Sequence, residues 1–273
     1  MTAGDWSSVI VRNASHRDAV TTTLFELGAE GVQESGDDLV THLRDADRAR
    51  VTSALRAADP DAVVEFAPTP NVDWSKEWRT RITAHEVGSL VVAPPWLATG
   101  RQGEIVIDPA MAFGTGEHET TRGMLHLMQR VVRAGDVVAD LGAGSAVLSI
   151  AAAKLGALRC VAIELDHDAI ANAESNVRAN GVDDRVSVVE GDAFTLLPLV
   201  APVRVVLANI VSSVLVDLLP VIRKSLAAQG LAILSGILVE ERDVMLNAFD
   251  LAHWHVIESE EDGPWWSVTI APA

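Results

Sequence analysis

Two glycine-rich stretches carry residue types that can do chemistry: "AFGTGEHETT" at 112–121 and "DLGAGSA" at 140–146. In the second, Asp140 stands before Gly142 and Gly144, where a strand pattern gives way to a helical one. Glycines there let the backbone turn tightly and approach a ligand, and the helix N-terminus offers free N–H groups. A dinucleotide fingerprint would place a third glycine where Val147 stands, which weakens that reading. Glu164, at the end of the next strand, has a carboxylate able to accept from both hydroxyls of a ribose. Asp140 would repel a pyrophosphate, yet suits a ligand bearing an ammonium and a sulfonium and no phosphate. S-adenosylmethionine has that chemistry. Asp192 of "EGDAF" either accepts from an adenine amino group or caps a turn. Asn209 of "LANIV" ends a strand at the carboxyl edge, where doubly wound folds bind ligands, and its amide oxygen can accept from a substrate amine.

The first stretch admits three readings. As a metal site it offers Glu117, His118 and Glu119, but adjacent side chains diverge on a helix and no second histidine follows at zinc-binding spacing. As a phosphate loop it lacks the lysine. The third reading has Gly114 and Gly116 bring backbone against a cofactor, with Glu117 and Glu119 favouring the positive end of a helix and Thr120 or Thr121 donating a hydroxyl. His118 is then a structural residue, and no metal is expected.

These residues need elements to position them. Residues 7–67 alternate as strand, helix, strand, strand, helix, strand, the order of a ferredoxin-like unit, with Ser15 a candidate cap for the first helix and Asp45 or Asp47 for the second. Residues 68–104 hold four prolines and three tryptophans without sustained period, and read as a connector with its own strand "SLVVAP". Its tryptophans are expected to be buried. From residue 105 strands alternate with helices: "DVVADL", "RCVAIEL", "RVSVVEG", "VRVVLANI" and "GLAILSG", then the runs "AHWHVIES" and "WWSVTIA". That alternation makes a parallel, doubly wound sheet. The expected class is therefore α/β: a small ferredoxin-like α+β domain at 1–67, a connector at 68–104 and a Rossmann-like seven-stranded domain at 105–273.

Charge and composition bound the function. The formal charge is -17, with lysine only at positions 76, 154 and 224, which argues against a nucleic-acid backbone and for a basic protein partner. Cys160, the single cysteine, excludes an internal disulfide and reads as a core residue. No secretion signal or long apolar run occurs, so a cytoplasmic chain without membrane contact is expected, and nothing suggests an oligomer.

With these pieces placed, the chain resembles the ribosomal protein methyltransferase family PrmA, whose members methylate large-subunit ribosomal protein eleven. The resemblance rests on "DWSKEW", "VGSLVVAPPW", "DPAMAFGTGEHETT", "DLGAGSAVLSIAAAKLGA" and "ANIV". It implies an S-adenosylmethionine-dependent methyltransferase acting on lysine and N-terminal amines, with the N-terminal domain recognising the ribosomal protein. It further implies cofactor contacts at Thr121, Gly142, Glu164 and Asn209, with Phe113 and Gly114 near the methionine end. The chain departs from the family at Ala146, where glycine is usual, at Glu164 (usually Asp), at Glu119 (usually Pro), and in "VSSVL" after Ile210. The last change touches the substrate side. Asn209 and the backbone carbonyl of Ile210 are the groups expected to hold the acceptor amine, in a site whose few hydrogen bonds permit repeated methylation. Two alternatives are a methyltransferase of the same fold with another protein or a small molecule as target, and a non-catalytic binding module.

Overall fold

The computed structural model describes residues 6–29, 31–36, 38–44, 46–68, 82–108 and 118–273. The chain divides into two compact units, Met1–Thr80 and Arg81–Ala273. In the first, β1 (Trp6–Arg12), α1 (Arg17–Glu26), β2 (Val32–Ser35), β3 (Asp38–Arg44), α2 (Arg48–Ala58) and β4 (Val63–Pro68) follow one another. The strands lie in the order β2-β3-β1-β4 and all pair antiparallel. Alternate residues Val9 and Val11 of β1, with Leu39 and Leu43 of β3, pack under Val20 and Leu24 of α1 and Val51 and Leu55 of α2. This is the ferredoxin-like arrangement.

The second helix is capped by Asp47, whose side chain accepts from the N–H groups of Ala49 and Arg50 at 3.0 and 3.1 Å. Asp45 lies outside the described residues. Ser15 does not cap α1, contrary to expectation. The position before that helix is His16, without a side-chain cap, and its N–H donates to Asp59 Oδ2 at 2.7 Å. Asp59 is fully buried and also accepts from the Asp61 N–H at 3.1 Å. A carboxylate remote in sequence thus fixes the chain where it enters the helix, while no side chain caps the helix itself. The bond from the His16 N–H is the main cause holding the Asp59 carboxyl below its ordinary value.

The second unit begins at Arg81 and so takes in the described part of the connector stretch, 82–104. There β5 (His85–Val87), β6 (Leu90–Ala93) and β7 (Glu104–Val106) form a small sheet in that order. Val87, Leu90, Val92 and Ile105 bury themselves in the same core as α3 (Glu119–Val131). Trp96 remains 37% exposed, against the expectation of burial, because it sits in a short turn of 3-10 helix at Pro95–Leu97. Trp74 and Trp78 lie outside the described residues.

The main sheet comprises β8 (Val137–Leu141), β9 (Arg159–Glu164), β10 (Val186–Glu190), β11 (Val203–Asn209), β12 (Leu226–Leu238), β13 (Trp254–Asp262) and β14 (Trp265–Pro272). Its order is β10-β9-β8-β11-β12-β14-β13, parallel from β10 through β12 and antiparallel at both pairings of β14. One face packs against α3, α4 (Val147–Lys154) and α5 (His167–Ala179) through Val138, Cys160 and Leu207. The other, through Ala139, Val161 and Ala208, packs against α6 (Ala193–Val200), α7 (Ser212–Ser225) and α8 (Arg242–Leu251). The alternation of faces along each strand assigns its residues to one layer or the other. The seven-stranded doubly wound domain expected from the sequence is therefore present.

Two further features matter below. Asn176 of α5, almost fully buried, accepts from the Asp108 N–H at 2.9 Å and donates to the Ser145 carbonyl at 3.1 Å. At the sheet edge, acidic residues of β13 pair with arginines from both layers: Glu258 and Glu260 with Arg130, Asp262 with Arg122, and Glu261 with Arg242. Among the described residues no helix is long and apolar enough to cross a membrane.

Because its folded-state pKa is lowered, Asp59 stabilises the first unit above the unfolded carboxyl value and loses that contribution as pH falls through the folded one. Asp59→Ala should therefore speed hydrogen exchange of the α1 amides at pH 7. The difference from the parent should shrink toward pH 3.

Candidate functional site

The carboxyl ends of β8, β9 and β11 converge on one edge of the main sheet. The turn after β8 is tied to the end of β9 by the N–H groups of Gly142 and Ala143, which donate to the Ile163 carbonyl at 2.9 and 3.1 Å. The Gly144 N–H donates to Glu164 Oε2 at 2.7 Å, while Glu164 Oε1 accepts from the Asp166 N–H at 2.9 Å. Glu164 thus fixes the glycine turn as well as facing the cleft. At Gly142 (φ +69°) a Cβ would fall 2.5 Å from Ile210 Cγ2, so only glycine fits. Ala146, the N-cap of α4, adopts φ +65°, the left-handed region that glycine occupies more readily.

Two cavities open here and share Gly142, Glu164 and Ile210. The smaller, about 230 Å³, is lined by Thr121, Gly144 and Asn209 in addition. The larger, about 410 Å³, continues past Leu165, Asp192, Phe194 and Val211. The smaller carries the polar side chains of Thr121 and Asn209, the larger the apolar ones of Leu165, Phe194 and Val211, and Glu164 borders both. Thr121 is fully buried and lines the smaller cavity, yet its Oγ1 has no hydrogen-bond partner among the described residues. A buried hydroxyl without a partner is costly unless a ligand satisfies it. These residues fit S-adenosylmethionine.

Asp192 serves as N-cap of α6, accepting from the Phe194 N–H at 3.0 Å, and also lines the larger cavity. The cap alternative weighed from the sequence is thus realised without removing the residue from the cleft. Asp140 needs correction. It was expected to face the ligand, but its side chain is fully buried behind the turn and is not part of either cavity wall. Asp140 shares the face of β8 that carries Val138, so it meets α4, where Ser149 Oγ donates to Oδ2 at 2.7 Å. Its Oδ1 has no partner among the described residues. Burial pushes the carboxyl up to about 7, the Glu164 charge adding to the rise and the Ser149 bonds opposing it.

Asn209 lines the smaller cavity, and its Nδ2 donates to Thr120 Oγ1 at 3.1 Å. Thr120 Oγ1 in turn lies 2.8 Å from His118 Nδ1. His118 is the N-cap of α3, accepting from the Thr120 N–H at 3.3 Å, and its ring meets Trp265 edge-on at 5.1 Å. Phe113, Gly114, Gly116 and Glu117 lie outside the described residues. Among the described residues no group of three or more histidine, cysteine, aspartate or glutamate side chains is placed to hold a metal.

The sequence reading overlooked Leu165, Phe194 and Gly236. Leu165 stands directly after β9 and Phe194 in the first turn of the helix that follows β10, both at the edge where ligands bind, and that position was the available signal. Gly236, at φ +81° inside β12, leaves space for the backbone of Ile210, whose carbonyl oxygen a Cβ would meet at 2.3 Å. An isolated glycine inside a strand is a signal for such close approach.

Comparison with known proteins agrees with this geometry. The family model described as "Ribosomal protein L11 methyltransferase (PrmA)" matches residues 13–272. A protein of that name from a Nitratiruptor species is 33% identical over 267 residues, 93% of this chain and 91% of its own. One from Clostridium perfringens is 30% identical over 237 residues, 85% of this chain and 74% of its own. The crystal structure of a ribosomal protein L11 methylase from Lactobacillus delbrueckii subsp. bulgaricus superposes with a TM-score of 0.63 at 27% identity, covering 70% of this chain and 99% of that one.

Two outcomes follow from the site. The fold favours protonated Asp140, so ionisation costs stability as pH rises from the unfolded carboxyl value to about 7. The Tm of Asp140→Asn relative to the parent should therefore climb between pH 4 and pH 7, by roughly 4 °C or more, and level off above. Gly236→Ala should destabilise the second unit by at least about 1 kcal/mol and weaken cofactor binding in calorimetry, because it displaces Ile210.

Proposed function

The chain belongs to the ribosomal protein L11 methyltransferase family, and on that premise we propose that it methylates lysine and N-terminal amines of ribosomal protein L11. The observation that supports this reading most is that Asn209 lines the same cavity as the buried Thr121 hydroxyl, which has no partner among the described residues, in a cleft that fits S-adenosylmethionine. When bound, the cofactor supplies a methyl group on a sulfonium, a leaving group good enough that alignment is the enzyme's main task.

The residues divide that task. Glu164 would accept from the ribose hydroxyls with the lone pairs that the Gly144 and Asp166 N–H groups leave open. Leu165, Phe194 and Ile210 would enclose the adenine, with the second oxygen of Asp192 at its amino group. Gly142 and Gly144 would let the turn approach the sugar and the tail, and Thr121 would donate its hydroxyl there. Phe113 and Gly114 belong near the methionine end on the family resemblance.

On the acceptor side, Asn209 Oδ1 and the Ile210 carbonyl would accept hydrogen bonds from a neutral amine and turn its lone pair toward the methyl group. A lysine must reach that state by losing its proton, which desolvation and a neighbouring positive charge favour. Two acceptors leave the amine free to rotate between transfers, so repeated methylation follows. The charge of -17 suits a basic protein substrate and opposes nucleic acid. We further place the protein in the cytoplasm, acting as a monomer.

One observation favours a second reading with a different target. Val211, the first residue of the altered "VSSVL", is 62% exposed beside Ile210, on the rim a substrate must cross. Mass spectrometry of ribosomal proteins from a strain lacking this chain distinguishes the two: L11 lighter by whole methyl groups is the expected result, and an unchanged mass would select the second reading. In vitro, Asn209→Ala should bind S-adenosylmethionine within about threefold of the parent while kcat for L11 drops about 100-fold, the scale of losing one preorganised polar contact. Methylation at the parent rate would remove Asn209 from its role.

A further inference from the structure

We infer that Thr120 is a positioning residue for methyl transfer, fixing which end of the Asn209 amide faces the acceptor amine. The inference rests on the proposed role of Asn209 and goes beyond it. An asparagine amide presents an acceptor on one side and a donor on the other, and the two are nearly the same shape. With the amide reversed, N–H groups would face the incoming amine and hold its lone pair away from the methyl donor.

The hydrogen bonds around Thr120 determine the direction. His118 Nδ1 accepts from the Thr120 N–H as the N-cap of α3, so that nitrogen carries a lone pair rather than a proton. The same nitrogen, 2.8 Å from Thr120 Oγ1, therefore accepts the hydroxyl proton. Thr120 has a single hydroxyl proton. With that proton given to His118, its oxygen can only accept from Asn209, and it does so from Nδ2 at 3.1 Å. With Nδ2 engaged by Thr120, Oδ1 is the end of the amide available to the cavity that Asn209 lines. Thr120 is 1% exposed, so bulk water does not compete for the arrangement. A helix cap thereby sets the polarity of a side chain on a different element, through one hydroxyl.

The test compares the parent with Thr120→Val, Thr120→Ser, His118→Ala, Asn209→Ala and the double variant T120V/N209A. For each, kcat and KM are measured with L11 as methyl acceptor, together with the Kd of S-adenosylmethionine and the Tm. Thr120→Val should lower kcat about tenfold, the scale of one neutral hydrogen bond, with Kd for the cofactor within about twofold. Thr120→Ser should recover most of the loss. In the Asn209→Ala background Thr120→Val should add nothing, since the amide it orients is gone. If Thr120→Val proves unfolded by its Tm, His118→Ala carries the decision: it frees the hydroxyl to donate to Asn209 and should lower kcat without changing Kd.

The outcomes separate the two levels of the argument. Asn209→Ala at the parent rate overturns the role of Asn209 itself. A slow Asn209→Ala beside a Thr120→Val at the parent rate overturns only the positioning role. So does a Thr120→Ser as slow as Thr120→Val, or a full further loss in the double variant.

Discussion

Ile210 has room for its side chain and its backbone only because no Cβ stands at 142 or at 236. Its Cγ2 rests over Gly142 in the turn after β8, and its carbonyl lies against Gly236 in β12. Three parallel strands, β8, β11 and β12, are adjacent in the sheet, so their ends are brought to one line by backbone pairing. The two missing side chains let the residue after β11 close the gap between its neighbours. The cleft takes its form from that fit. Ile210 borders both cavities, and Asn209 is carried to the rim by the same stretch of chain.

Around this point the polar groups act mostly as ties. Glu164 joins the glycine turn to the start of α5, and Asn176 joins that turn to the end of the small sheet at Asp108. Asp140, which has no place on the cleft wall, ties β8 to α4 through Ser149. Its buried carboxyl is uncomfortable as an anion, which places an ionisable group directly behind a site for a cationic ligand. Asp140 is thus a structural tie behind the cleft, whereas Glu164 borders both cavities.

Much of the architecture was legible because periodicity is local. Val9 and Val11, or Met124 with Leu127 and Met128, announce their elements without knowledge of their partners. Asp47 and Asp192 were readable as caps because a cap bonds within its own turn. What depended on distant chain was lost. Asp59 bonds the His16 N–H across more than forty residues of sequence, and no spacing rule contains that bond. The ligand-facing reading of Asp140 overlooked strict alternation from Val138 in β8, which assigns it to the face covered by α4. Thr121 and Asn209 reach one cavity as expected from the family pattern, whereas the bond from Asn209 to Thr120 needed the pairing of two elements that sequence alone does not supply.

Among the described strands β13 is the outermost of the main sheet and pairs on one side only. Its acidic residues are held there by Arg122 and Arg130 from one layer and Arg242 from the other. The outermost strand is thereby clamped by charge to helices on both faces of the sheet, which steadies an element that pairs along one side alone.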